Sequence, residues 1–353
     1  VSVAAAHASE GGAPSRGWLD RTPGHRAAVA LMLLCTLLWS MAGIVTRQVE
    51  AAEGFEVTFW RSAANAVVLA VALAWLRGPA ALVRNVREGG RVLWLSAACW
   101  CTMYTAFMLA LTLTTVANVL VTMAVAPLLT ALVARVALGQ RLAPRTWAAI
   151  TLAGAGIGWM YGSELAGAEA RHGWGTLVAL GVPVAAAVNW TLLQHIREQA
   201  ARARAAGTAT AAGMAVLGDA TSKPAPKPPH EPDMLAAVLL GAVASALITL
   251  PLALPWQASA SDIAWLSFLG AFQLALPCLL CVIAARALAA PEASLLSLLE
   301  VVFGVAWVWL ASAEQPSAAV IGGGLVVLAA LAGHEVLGWR RQSEASARAQ
   351  PPV

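Results

Sequence analysis

Glu300 is the residue whose type and setting say most about chemistry. It stands near the middle of a long apolar run, 292–312. A carboxyl group in hydrocarbon is expensive unless it is paired or reached by water, so it counts as a functional group by default. On a helix Ser297, Glu300, Gly304 and Trp307 share one face, because residues three and four apart lie above one another. The small neighbours leave room beside the carboxyl group for a ligand or water. Two readings are open: a group that exchanges protons or contacts a solute, and a structural carboxylate hydrogen-bonded to a neighbouring helix.

Other polar residues interrupt apolar runs. Arg61 lies about one and a half turns inside the run 57–76, a setting in which a long cationic side chain commonly snorkels to the surface. The expectation is an anchor, turned outward or paired with Glu53 or Glu56, with Asn65 one turn deeper on the same face. Asn118, Thr122, Asn189 and Gln273 are neutral polar groups within runs. Each can hydrogen-bond a solute or another helix. Singly the second reading is preferred. Together they are spread over both halves of the chain, as a central cavity requires. Trp39, Tyr104 and Trp190 are candidates for its aromatic walls, with core packing the alternative for each. Pro127 and Pro277 fall inside runs. A proline there leaves carbonyls free, which suits hinges or polar sites.

Several chemistries are not expected. The sequence has no G-x-x-x-x-G-K-[ST] phosphate loop, and His334-Glu335 lacks the second histidine of a zinc-peptidase helix,. The cysteines, Cys35, Cys99, Cys101, Cys278 and Cys281, all lie within apolar runs. Cys278-x-x-Cys281 places two sulfurs on one helix face, but packing is the preferred reading. No catalytic set, metal site or cofactor is expected.

The elements that must position these groups follow from composition. Of 353 residues 59% are apolar and only 11% charged, against about 25% charged in soluble chains. The expected fold is an all-α integral membrane protein with ten transmembrane helices, at 27–46, 57–76, 92–113, 115–138, 145–162, 173–196, 234–254, 263–285, 292–312 and 317–338. Each run approaches the ~20 residues that cross a bilayer core as a helix. With both termini cytoplasmic, nearly all of the 22 basic residues fall on the cytoplasmic side, as the positive-inside rule requires. The net charge of +4 is therefore read as topology, and no nucleic-acid partner is expected. Trp60, Trp75, Trp94, Trp147, Trp159, Trp174, Trp256, Trp265 and Trp339 fall near run ends, like an interfacial belt. The Arg- and Ala-rich usage suggests a GC-rich bacterial genome, hence an inner membrane. Residues 1–26 and 339–353 are read as cytoplasmic tails, and 197–233 as a disordered cytoplasmic loop, because Pro, Ala, Gly and charge dominate it.

The runs form two copies. Residues 116–149 and 290–323 keep register without a gap, and Trp94-Leu95-Ser96 matches Trp265-Leu266-Ser267. The expected domains are 27–162 and 173–338, each with five helices and inverted relative to each other, a common construction of secondary transporters. Gly154-x-x-x-Gly158 and Gly322-Gly323-Gly324 fall on the last helix of each copy. They permit close helix contact and leave a homodimer contact open.

At this point the chain resembles the drug/metabolite transporter superfamily, specifically its EamA type. The carriers are Leu38-Trp39-Ser40, Phe59-Trp60-Arg61, Ala126-Pro127, Gly139-Gln140-Arg141-Leu142, Leu299-Glu300 and Ala313-Glu314-Gln315-Pro316. The chain departs from the family's usual pattern at Gln140, at Ala313, at Val301 and in its long loop. The resemblance implies transport of small organic solutes, often amino acids or related metabolites, with export frequent. The expected function is secondary active transport by alternating access, with the bilayer, a solute and protons as partners. Glu300, Asn118, Asn189, Gln273, Ser297, Trp39 and Tyr104 are its candidate contacts, and Arg61, Asn65, Pro127 and Pro277 its candidate structural or gating residues. The alternatives are a membrane-embedded enzyme on lipid-linked substrates and a non-transporting sensor or scaffold.

Overall fold

The apolar runs fold as helices because a backbone in hydrocarbon must satisfy its own N–H and C=O groups. The computed structural model describes residues 22–46, 48–52, 54–114, 116–139, 142–166, 173–217, 233–311 and 317–349. Among them no strand occurs. In chain order the helices are α1 His25–Trp39, α2 Ala42–Thr46, α3 Gly54–Arg77, α4 Pro79–Glu88, α5 Gly90–Leu113, α6 Val116–Met123, α7 Ala126–Leu138, α8 Pro144–Ala166 and α9 Gly173–Leu217. They continue with α10 Leu235–Thr249, α11 Ala260–Phe268, a π-helical stretch Leu269–Ala275, α12 Leu276–Ala284, α13 Ala290–Ser297, α14 Leu299–Ala311 and α15 Ala318–Ala349. The expectations resting on residues 1–21, Glu53, Gln140, Arg141, 218–232 and 313–316 lie outside the described residues.

Seven helical stretches are long and apolar enough to cross a membrane: His25–Thr46, Gly54–Arg77, Gly90–Leu111, Val119–Leu138, Trp174–Ala203, Leu235–Leu252 and Ala260–Ala284. Ala318–His334 is a shorter apolar helix. The surface agrees with a multi-pass membrane protein: Val71, Val136 and Leu310 are exposed by 66%, 87% and 74%, which only an apolar surrounding tolerates on this scale. Trp75, Trp94, Trp159, Trp174, Trp256 and Trp265 are exposed too, in keeping with interfacial anchoring.

One expectation about the segments between spans is corrected. The loop expected from residue 197 is helical as far as Leu217, since α9 continues without a break; its REQAARARAA stretch is built from strong helix formers. Helix α15 runs past the end of the expected last span, to Ala349.

The bundle is held by pairings that run between the N-terminal and C-terminal halves of the chain. Helix α3 packs on α10, α7 on α13 and α8 on α15; α10 packs on α5, while α3 packs on α11 and the π-helical stretch. Helix α5 packs on α9, and α1 packs on α12. The α8–α15 contact is close because of glycine, though not the expected pair. A Cβ added to Gly156 would lie 2.8 Å from the Gly323 carbonyl oxygen, and one on Gly323 would lie 2.4 Å from that of Gly156. Gly154 and Gly158 meet nothing within 4 Å.

Each end of the bundle carries a polar clasp. At one end two carboxylates from different halves grip each other's backbones. Glu56, in the first turn of α3, accepts the N–H groups of Gln257 and Ala258, each at 3.0 Å. Asp262, in the first turn of α11, accepts those of Glu50, Ala51 and Ala52 at 2.9, 3.1 and 3.2 Å. Ionised acceptors on backbone donors make hydrogen bonds about twice as strong as neutral ones. At the other end Arg77 pairs with Asp233 at 3.0 Å, Asn85 exchanges two hydrogen bonds with the Asp233 backbone, and His25 meets Glu292 at 3.3 Å.

Candidate functional site

Between the clasps the helices lose their regularity, and the polar residues gather where they do. Helix α1 ends at Trp39, and Ser40 and Met41 intervene before α2. The released Trp39 carbonyl accepts from the Gln273 amide at 3.1 Å. Gln273 itself sits in the π-helical stretch 269–275. Proline at position 277 has no N–H to offer the carbonyl four residues earlier, which is that of Gln273, and π-turns are a common response to such a mismatch. The same reasoning applies to α6 and α7. They part at Ala124-Val125, just before Pro127, whose missing N–H leaves the Met123 carbonyl without its helical donor,. Helices α13 and α14 part at Leu298, between Ser297 and Glu300.

These breaks surround one cavity of about 130 Å³, roomy enough for several waters. Its walls include Trp39, Arg61, Tyr104, Asn189, Gln273, Ser297 and Glu300. Residues far apart in sequence, from α1, α3, α5, α9, the π-helical stretch, α13 and α14, are thus brought together. Asn189 is fixed by the Ser96 hydroxyl, which donates to its Oδ1 at 2.6 Å. The Tyr104 hydroxyl donates to Cys278 Sγ at 3.3 Å. The Ser297 hydroxyl is turned to its own helix, donating to the Ser294 carbonyl at 2.6 Å. Trp307, expected on the Glu300 face, donates from its indole to the Ser40 hydroxyl at 3.0 Å and so braces the broken end of α1. Glu300 is half-buried, and among the described residues it has no hydrogen-bond or ion-pair partner.

Arg61 departs from its expected role. It is 2% exposed and lines the cavity, so it neither snorkels nor pairs with Glu56. Glu56 is occupied by backbone amides and by the Trp60 indole, which donates at 3.3 Å. The backbone around Arg61 is pressed against α11 and its π-helical continuation. A Cβ on Gly270 would lie 2.5 Å from the Arg61 carbonyl oxygen, so only glycine admits this approach. The guanidinium makes one long hydrogen bond, from Nη2 to the Tyr104 carbonyl at 3.4 Å, and its Nε is buried without a partner.

Asn65, Pro127 and Pro277 stand aside from the cavity. Asn65 is fully buried one turn below Arg61. Pro127 and Pro277 head α7 and α12 and act on the walls through the backbone, Pro277 also accepting from Cys35 Sγ at 3.2 Å. Asn118 stands on α6, its side chain outside the described residues. Sequence reasoning missed Trp100, Met103, Phe107, Met123, Pro183 and Cys278 among the walls. A signal for part of this set existed: Trp100, Tyr104 and Phe107 follow the four- and three-residue steps of one helix face.

Comparison with known proteins gives a family match for one segment of the chain. Residues 26–162 match the EamA-like transporter family, which belongs to the drug/metabolite transporter superfamily. No curated protein sequence matches the chain. Among solved structures, one described only as a crystal structure of protein is similar with a TM-score of 0.67 at 18% identity, covering 90% of this chain and 99% of that one. At this identity the likeness concerns the fold.

Proposed function

We propose that this chain, a membrane protein whose residues 26–162 match the EamA-like transporter family, is a secondary active transporter of small organic solutes. Amino acids or related metabolites are the proposed cargo and export the proposed direction. Ten spans in two inverted five-helix halves would rock about the central cavity, in a bacterial inner membrane with both termini cytoplasmic. The observation that carries the reading is that the polar residues of both halves converge on one aromatic-walled cavity, as carriers built from repeats require. An enzyme on lipid-linked substrates would need them at one membrane face instead.

The helix pairings support the inverted arrangement. If the halves are equivalent in order, the pairs α5–α9 and α12–α1 correspond, as do α10–α5 and α3–α11, while α3–α10, α7–α13 and α8–α15 each join equivalents. The breaks at Ala124-Val125 and Leu298 occupy corresponding places in the two repeated segments. Glu300 is the proposed proton-linked group because its carboxyl group faces the cavity with no protein partner among the described residues.

The test is solute flux in proteoliposomes, screening amino acids, nucleosides and cationic dyes with and without a pH gradient. Gradient-driven flux is expected for the unmodified protein and its loss for Glu300→Gln. Flux in that variant that still follows the gradient would remove Glu300 from coupling. Absence of flux for every class, in protein shown to be folded, would reject the transporter reading.

A further inference from the structure

We propose that Arg61 and Glu300 form a two-pole recognition site for a zwitterion, with a solute carboxylate on Arg61 and its ammonium group on Glu300. The inference rests on the transporter reading of the cavity and specifies what the cavity accepts.

Arg61 carries the argument. A guanidinium offers five donors in a planar fork and stays charged in proteins. Here it is 2% exposed, has a single hydrogen bond among the described residues, at 3.4 Å, and keeps Nε without a partner. An isolated buried cation is strongly unfavourable unless something compensates it. Its place on the cavity wall leaves that compensation to whatever enters. Carboxylates match the fork with two parallel hydrogen bonds.

Glu300 supplies the second pole. It lines the same cavity as Arg61, yet the two form no direct ion pair, and neither has another charged partner among the described residues. Arg61 comes from α3 and Glu300 from α14, so a solute between them touches both halves of the chain. A plain anion would satisfy Arg61 and be repelled by the Glu300 carboxylate. A plain cation would meet the reverse. A zwitterion satisfies both. Trp39, Trp100, Tyr104 and Phe107 are placed to receive its apolar portion.

The experiment compares phenylalanine and leucine with their methyl esters, their N-acetyl derivatives and the corresponding amines. Uptake into proteoliposomes is measured together with quenching of intrinsic tryptophan fluorescence in detergent. In the unmodified protein the parent amino acids are expected to be preferred over each derivative by on the order of a hundredfold, since a buried charge left unpaired costs that much or more. Arg61→Gln should bind amino acid and ester equally. Arg61→Lys should weaken binding while keeping the preference for the carboxylate. In the quenching measurement Glu300→Gln should bind the N-acetyl acid as well as the parent.

Esters or amines handled as well as the parent amino acids would overturn the proposal and leave transport standing. Flux confined to nucleosides or cationic dyes would do the same. No flux or quenching with any compound, in protein shown by circular dichroism to be helical, would remove the transporter reading and this one with it. If an Arg61 variant does not fold, the ranking in the unmodified protein decides alone.

Discussion

Single residues in this chain are legible where solvation alone sets their fate. Glu300 was exposed as unusual by its surroundings in sequence, and the cavity at its side chain is what an unpaired carboxyl group in hydrocarbon requires. Arg61 was not legible in the same way. Its distance from the helix end allowed snorkelling, and the Glu56 that could have paired with it lay five positions away in sequence. In the structure Glu56 is taken by the amides of Gln257 and Ala258, some two hundred positions away, while Arg61 is buried against the cavity. The clasp carboxylates are open to direct test. Glu56→Gln and Asp262→Asn should each cost about 1.5–3 kcal/mol, the range for hydrogen bonds to charged groups, read as a lowered unfolding temperature in detergent. Unchanged melting in both variants would show that these hydrogen bonds contribute nothing to holding α3 against α11.

Elements in this fold are positioned as much by absences as by side chains. Missing N–H groups at Pro127 and Pro277 fall beside the break before α7 and the π-helical stretch before α12, and missing Cβ atoms admit the closest helix contacts. Gly270→Ala should therefore separate α3 from the π-helical stretch and shift Arg61, costing roughly 1–3 kcal/mol as other overpacking substitutions do. Solute affinity should fall with it, whereas a change in stability alone would mean the shift is absorbed elsewhere. Gly323→Ala and Gly154→Ala form a matched pair on the scaffold. The first places a methyl group 2.4 Å from the Gly156 carbonyl oxygen, and the second meets open space. Thermal melting should drop for Gly323→Ala and stay or rise slightly for Gly154→Ala, because alanine is the better helix former. Equal behaviour of the two would contradict the α8–α15 contact. The glycine triplet and the GxxxG pattern were readable in sequence, but the contacting glycine, Gly156, lies between the two that the pattern named. Helix phase relative to a neighbour is a tertiary quantity.

The whole molecule is a bundle with a polar clasp at each end and a cavity between them. The proposed alternating access would require one clasp at a time to open. His25 on α1 and Glu292 on α13, 3.3 Å apart, join the two halves at the end where most basic residues lie. Replacing both by cysteine and bridging them with a short bis-methanethiosulfonate should stop flux, with recovery on reduction. Undiminished flux in the cross-linked protein would show that these helix ends do not part during transport.

Sequence alone determined the class of fold and most helix positions. Hydrocarbon leaves a chain only helices or a closed barrel to satisfy its backbone, and long uncharged runs of about 20 residues choose the helix. It also singled out Trp39, Tyr104, Asn189, Gln273, Ser297 and Glu300, all of which line the cavity, because polar and aromatic groups stand out in an apolar chain. Tertiary structure alone decided that they share one cavity, that Arg61 joins them, and that Asn65, Pro127 and Pro277 stay behind the wall. The physical reason is that burial cost is a property of one residue and its near neighbours. Orientation toward a cavity depends on which distant backbone amide or glycine meets that residue, and no local pattern records the meeting.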